Sequence, residues 1–237
     1  MAYDWQNRAT ANAAQQAAVD VGLRQYMLRV YNYMAGGLAL TGVVAYAGAA
    51  SGFYQAIVGS PIFWLVLLAP LGLVMLLSFR IQSMSLGAAQ ASFWAYAGLV
   101  GLSLSGIFLV YTGMSIAQTF FVTAAMFLGM SLYGYTTGRD LAAFGSFLFM
   151  GLIGIVIASL VNLFLGSAMV QLVISVIGVI VFVGLTAWDT QRIKEMYYAG
   201  DDNVIAGKKS IMGALALYLD FLNLFLMLMQ LMGQRRD

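Results

Sequence analysis

Seven long apolar runs, almost free of charge, constrain this chain more than anything else in it: Leu28–Ala50, Ile62–Phe79, Ala88–Tyr111, Ser115–Tyr135, Phe144–Leu165, Ala168–Ile193 and Ile211–Met232. A helix that crosses a bilayer needs about 20 mostly apolar residues, and each run is too long and too uncharged for a soluble strand. The alternating pattern of an outer-membrane barrel is missing as well. Composition agrees. Only 11 Lys and Arg and 9 Asp and Glu serve 237 residues, 62% are hydrophobic, and mean hydropathy is +0.88. A soluble domain carries about 25% charged residues and could not cover its surface with so few. The expectation is an all-α integral membrane protein of seven transmembrane helices. Residues 1–27 are polar, rich in Ala, Asn and Gln, with no apolar core ahead of a cleavage site. They read as a cytoplasmic N-terminal tail rather than a signal peptide. Residues 28–237 read as one seven-helix transmembrane domain, because no linker is long enough to divide them.

Charge sets the expected orientation. Arg8, Arg24 and Arg29 precede or open the first run, Arg80 follows the second, Arg139 the fourth, and Arg192, Lys194, Lys208 and Lys209 close or follow the sixth. The connections after runs one, three and five hold no Lys or Arg. The positive-inside rule therefore places the N-terminus of a multi-pass membrane protein in the cytoplasm. Arg235 and Arg236 dissent, since a seventh full crossing puts them outside. The last helix either crosses completely or is re-entrant.

The missing residues exclude chemistry. With no His and no Cys, Ser-His-Asp and Cys-His catalysis, zinc sites built on His or Cys, haem or iron–sulfur ligation and disulfides are all ruled out. A net charge of +2 gives no reason to expect a nucleic-acid partner. No enzyme and no cofactor is expected.

Small and polar residues recur at three-four spacing: Gly151, Gly154, Ala158 and Asn162 on run five, Gln171, Ser175 and Gly178 on run six, and Gly213, Ala216, Asp220, Asn223, Met227 and Gln230 on run seven. Such stripes let helices approach closely in lipid and line either a packed polar core or a water-filled path. Pro70, inside run two, removes a backbone hydrogen bond and predicts a kink.

Two charges are out of place. Asp220 lies about 14 Å into the last run at 1.5 Å per residue, and Asp189 lies near the cytoplasmic end of run six, followed by Thr190 and Gln191. An ionisable residue inside a membrane costs at least about 2.5 kcal/mol on insertion scales and is by default a functional-site hypothesis. The two runs are consecutive and antiparallel, so both carboxylates sit in the same half of the bilayer and can meet. Two carboxylates in one low-dielectric site titrate as a pair. Holding one proton, they form a pH sensor; doubly ionised, they offer hard oxygens suited to calcium. Arg80 is the expected counter-ion, and an Arg–Asp pair competing with proton and metal would act as a latch. The plainer readings are a register-fixing structural pair and a snorkelling arginine.

Motifs around these residues resemble a known family. Gly-Leu-Thr-Ala-Trp-Asp-Thr-Gln-Arg-Ile (184–193) and Ala-Leu-Ala-Leu-Tyr-Leu-Asp-Phe-Leu-Asn-Leu-Phe (214–225) resemble signatures of the transmembrane Bax inhibitor motif family. Ser-Leu-Tyr-Gly-Tyr-Thr-Thr-Gly-Arg-Asp-Leu (131–141) and Leu-Ser-Phe-Arg-Ile (77–81) resemble its fourth- and second-span motifs. The resemblance runs from about Arg24 to the C-terminus and is nearest to the bacterial, YccA-like branch. It implies a last helix enclosed by two three-helix layers, and a pH-sensitive calcium leak with Asp189 and Asp220 as paired sensor and ion site and Arg80 as latch. Asn223, Thr190 and Gln191 are the supporting polar residues. In animal members it implies modulation of cell death and endoplasmic-reticulum calcium. In the bacterial branch it implies an alternative role, regulation of a membrane-anchored AAA protease, for which the polar tail is the natural contact. The expected partners are thus the bilayer, calcium as bound or transported ion, and that protease.

Two other readings fail on residues. An intramembrane aspartyl protease needs Gly-x-Gly before an aspartate, where this chain has Leu-Tyr-Leu ahead of Asp220, and Pro-Ala-Leu after the second, where its only prolines are Pro61 and Pro70. A retinal protein needs a lysine within a span, and none is present.

Overall fold

The computed structural model describes residues 2–236, with side chains described from Val19 onward. Among the described residues nine helices follow one another: α1 (Ala2–Ala50), α2 (Phe53–Ile57), α3 (Pro61–Arg80), α4 (Leu86–Leu104), α5 (Ile107–Val110), α6 (Gly113–Thr136), α7 (Ala142–Leu165), α8 (Ala168–Glu195) and α9 (Asn203–Met232). Seven segments are long and apolar enough to cross a membrane: Val19–Ala50, Pro61–Arg80, Leu86–Val110, Gly113–Thr136, Ala142–Leu165, Ala168–Glu195 and Asn203–Met232. The chain is a multi-pass, all-α membrane protein.

The helix boundaries follow local chemistry. Ser85, Thr112, Ser167 and Asp202 each cap a helix by accepting a backbone N–H of its first turn, supplying partners that lipid cannot. Pro61 occupies the first turn of α3, where a missing N–H costs nothing. Gly166, at φ 60, takes the left-handed conformation that closes α7.

Two expectations need correction at the level of elements. The third span is not one continuous helix. At Ser105 and Gly106 the hydrogen bonds tighten to a three-residue spacing, with Ser105 N–H on Leu102 and Phe108 N–H on Ser105. At the break neighbours press in: a Cβ at Gly106 would fall 2.7 Å from the Tyr54 hydroxyl, and one at Gly48 would meet Ser105 Oγ. The last helix also starts at Asn203 rather than Ile211. The polar stretch before Ile211 stays helical because Asp202 caps it and Lys208 and Lys209 find carbonyls of Gln82 and Met196.

Two layers of three helices enclose α9. In one layer α4 packs between α1 and α3; in the other α8 packs between α6 and α7. Helix α9 touches α1, α4, α6 and α8. In its most apolar stretch 67% of residues are buried, against 17–39% in the other six spans. The main core follows that arrangement, with Tyr218, Leu217, Ile211 and Met229 of α9 packed against Phe93, Val30 and Phe127.

The α3–α4, α6–α7 and α8–α9 connections meet at one end of the bundle, here called the basic end, where Lys194 donates to the Tyr135 carbonyl and Lys208 to that of Gln82. At the other end the chain beyond α9 pairs with the α5–α6 connection. Tyr111 and Arg235 form an antiparallel bridge, Thr112 N–H donates to Gln234, and Arg236 N–H donates to Val110. Helix α9 therefore runs from the basic end to the opposite end and crosses completely. The re-entrant alternative does not hold.

Candidate functional site

Asp189 and Asp220 meet. Contacts along the antiparallel α8–α9 pair fix their level: Lys209 donates to the Met196 carbonyl, Gly213 abuts Ile193, and Gly178 abuts Met227. On that ladder Asp220 lies about one turn deeper than Asp189. The two carboxyl groups are within hydrogen-bonding reach of each other. Asp220 is only 5% exposed, and its Oδ2 has no hydrogen-bond partner among the described residues. A buried carboxylate oxygen without a donor is costly, and a proton shared with the neighbouring carboxylate, a water or a cation relieves it.

Both aspartates line one cavity of about 460 Å³ between α3, α7, α8 and α9. Along α8 it runs from Arg192 to Phe182, about 15 Å of helix. Its polar lining is Asp189, Asp220, Asn223, Arg192 and Ser78. Asn223 donates its amide N–H to the Leu219 carbonyl, leaving its oxygen for the cavity. Helices α3 and α7 pack against α4 and α8 respectively and barely touch each other, so the cavity opens sideways between them.

Of the supporting residues, only Asn223 joins the pair. Thr190 is buried on another face of α8, bonded to Ser131 of α6 and to the Thr186 carbonyl. Gln191 ties down the α6–α7 connection, accepting from Leu141 N–H and donating to the Arg139 carbonyl, each at 2.8 Å. Arg80 ends α3, is exposed, and pairs with neither aspartate among the described residues. The cation that lines the cavity is Arg192, three residues after Asp189 and 5.5 Å above the Trp188 ring. In the sequence Arg192 reads only as one of the cations that orient the chain. Its i,i+3 spacing from Asp189 was the signal that places both on one helix face. Among the described residues no group of three or more acidic, His or Cys side chains forms a metal cage. Asp189, Asp220 and Asn223 carry five side-chain oxygens at the cavity, fewer than the six to eight that a calcium ion would require, so a bound ion would keep water in its shell.

Beyond Phe182 the stripes on α8 and α9 close on each other. A Cβ at Gly178 would fall 2.8 Å from the Met227 sulfur, and Leu224 and Leu228 are buried. At the far end the polar residues meet again: Gln230 accepts from Ser175 Oγ at 2.6 Å and from Gln171, and Gln171 accepts from Asn162.

The family model for inhibitors of apoptosis-promoting Bax1 matches residues 23–237, which contain every helix that builds this site. The chain belongs to the Bax inhibitor family. Its relatives span nearly its whole length. The inner membrane protein YbhL of Escherichia coli is 52% identical over 219 residues, 91% of this chain and 94% of that one. The RP147 protein of Rickettsia prowazekii is 49% identical over 231 residues, 97% and 98% of the two chains. A membrane protein of Streptococcus pyogenes is 38% identical over 219 residues, 91% and 95%.

Proposed function

We propose that this Bax inhibitor family protein is a pH-responsive calcium leak of the bacterial inner membrane. Its N-terminus and basic end face the cytoplasm, and the protonation of the Asp189–Asp220 pair controls ion passage. The observation that carries the reading is the paired carboxylates facing a cavity deep between α8 and α9, with Asp220 Oδ2 lacking a donor. An ionised pair gives a cation two negative charges and a place to shed part of its water. With a proton shared between them, one charge is gone and the attraction falls. An incomplete set of protein oxygens keeps binding weak, as a conducting site requires. The membrane follows from the named location of YbhL, and the orientation from the excess of Lys and Arg on the connections at the basic end. The packed segment past Phe182 makes this conformation closed.

Calcium entry into proteoliposomes across a pH series tests the proposal. Wild type conducts in a pH-dependent way. Asp220→Asn and Asp189→Asn each flatten that dependence to less than about twofold between about pH 5 and pH 8, because one titrating partner is gone. Flux that keeps the wild-type rate and pH profile in both variants refutes the mechanism.

A further inference from the structure

A second opening lies at the basic end, on the outer side of the bundle. It measures about 600 Å³ and is formed by α1 and α4, with Gly207 of α9 at its edge. Gln25, Arg29 and Asn32 present one face of α1 to it, and Gln90 and Trp94 present one face of α4. Both sets follow the three-four spacing that puts residues on one helix face. The floor is tight: a Cβ at Gly207 would fall 2.7 Å from Leu86, and one at Gly36 would fall 2.8 Å from the Trp94 ring.

The polar groups here are not spent on each other. Gln90 donates to the Tyr33 hydroxyl at 2.7 Å, which leaves its amide oxygen free. Arg29, Asn32 and Gln25 are exposed, and none has a side-chain hydrogen bond or ion pair among the described residues. Leu86 is the first residue of α4, so Gln90, and Arg29 in the same opening, lie about one turn inside the end of that apolar span. Asn32 and Trp94 lie about one turn further in. At that depth an exposed amide faces lipid, where an unmet hydrogen bond is costly. The lining includes one cation and no carboxylate.

We infer that this opening holds the headgroup of an anionic phospholipid, with the Arg29 guanidinium on the phosphodiester and the Gln25, Asn32 and Gln90 amides on glycerol and headgroup oxygens. Trp94 borders the upper acyl chain, the interfacial position that an amphipathic indole favours. With no carboxylate to answer an ammonium, the lining selects phosphatidylglycerol-type lipid over choline lipid. This site is separate from the carboxylate cavity and does not depend on the leak reading.

Native mass spectrometry on the delipidated full chain in detergent, titrated with phosphatidylglycerol or phosphatidylcholine, tests the inference. One phosphatidylglycerol is retained per chain, with at least about fivefold preference over phosphatidylcholine. Arg29→Gln lowers retention about fivefold or more, whereas Arg139→Gln, the same charge change at the same end, stays within about twofold of wild type. If Arg29→Gln does not fold, Gln25→Leu with Asn32→Leu probes the same mouth and lowers retention too. Wild-type retention in these variants, or an equal loss in Arg29→Gln and Arg139→Gln, overturns the inference. Displacement of the lipid by inorganic phosphate at equal concentration also overturns it, since the site would then be a small-anion site.

Discussion

Pro70 shows how single residues settle accounts inside lipid. It leaves the Val66 carbonyl without its helical donor, yet α3 continues through it. The donor comes from the next helix, where Ser103 Oγ donates to the Val66 carbonyl at 2.8 Å while also reaching Leu99. Ser103→Ala should therefore lower stability in detergent by about 1 kcal/mol. In a Pro70→Ala background, where residue 70 regains its N–H, the same change should cost much less, and a double-mutant cycle by thermal unfolding measures the difference. Equal costs in both backgrounds would show that the bond does not serve that carbonyl. The carboxylate pair was legible at this scale because a charge inside an apolar run has few innocent explanations. Thr190 and Gln191 were not, because adjacent residues on a helix point about 100° apart. Sequence neighbours of Asp189 thus face α6 and its connection to α7 rather than the cavity. Arg192 was hidden among the cations that orient the chain, and only the fold shows which of them turns toward the aspartates.

Among elements, α6 and α8 meet backbone to backbone at one glycine. A Cβ at Gly134 would fall on the Ala187 backbone, whereas one at Gly129, five residues earlier on α6, would meet nothing within 4 Å. Gly134→Ala is expected to destabilise the protein by about 2 kcal/mol, since backbone cannot yield as a side-chain tip does. Gly129→Ala should be neutral or slightly stabilising through higher helix propensity. Thermal unfolding of the two variants side by side checks this, and similar melting temperatures would contradict the packing. Span count was readable from hydropathy alone, because length and apolarity are local properties. The early start of α9 and the break between α4 and α5 were not, since both rest in part on partners outside the helix itself: Gln82 and Met196 for one, Tyr54 and Gly48 for the other.

At the scale of the whole molecule, an odd number of crossings separates the termini. The absence of native cysteine makes the arrangement measurable without background. With a membrane-impermeant maleimide, Arg235→Cys should label from the same side as Val58→Cys, in the connection after α2, and from the side opposite Arg139→Cys. Labelling of Arg235→Cys together with Arg139→Cys would contradict the pairing of Tyr111 with Arg235. The charge pattern alone left this open because Arg235 and Arg236 oppose the majority, and it took a backbone pairing between distant segments to decide.

The enclosed position of α9 also bears on how the protein is made. Synthesis delivers the N-terminal helices first, so both three-helix layers enter the membrane before the helix they surround exists. Until the final segment arrives, Asp189 has no carboxyl partner, the buried face of α4 has no α9 against it, and the two layers have little to hold them together. Assembly therefore ends with an insertion between preformed halves, and a ribosome that stops before Asn203 leaves two half-cores in the bilayer in place of one protein.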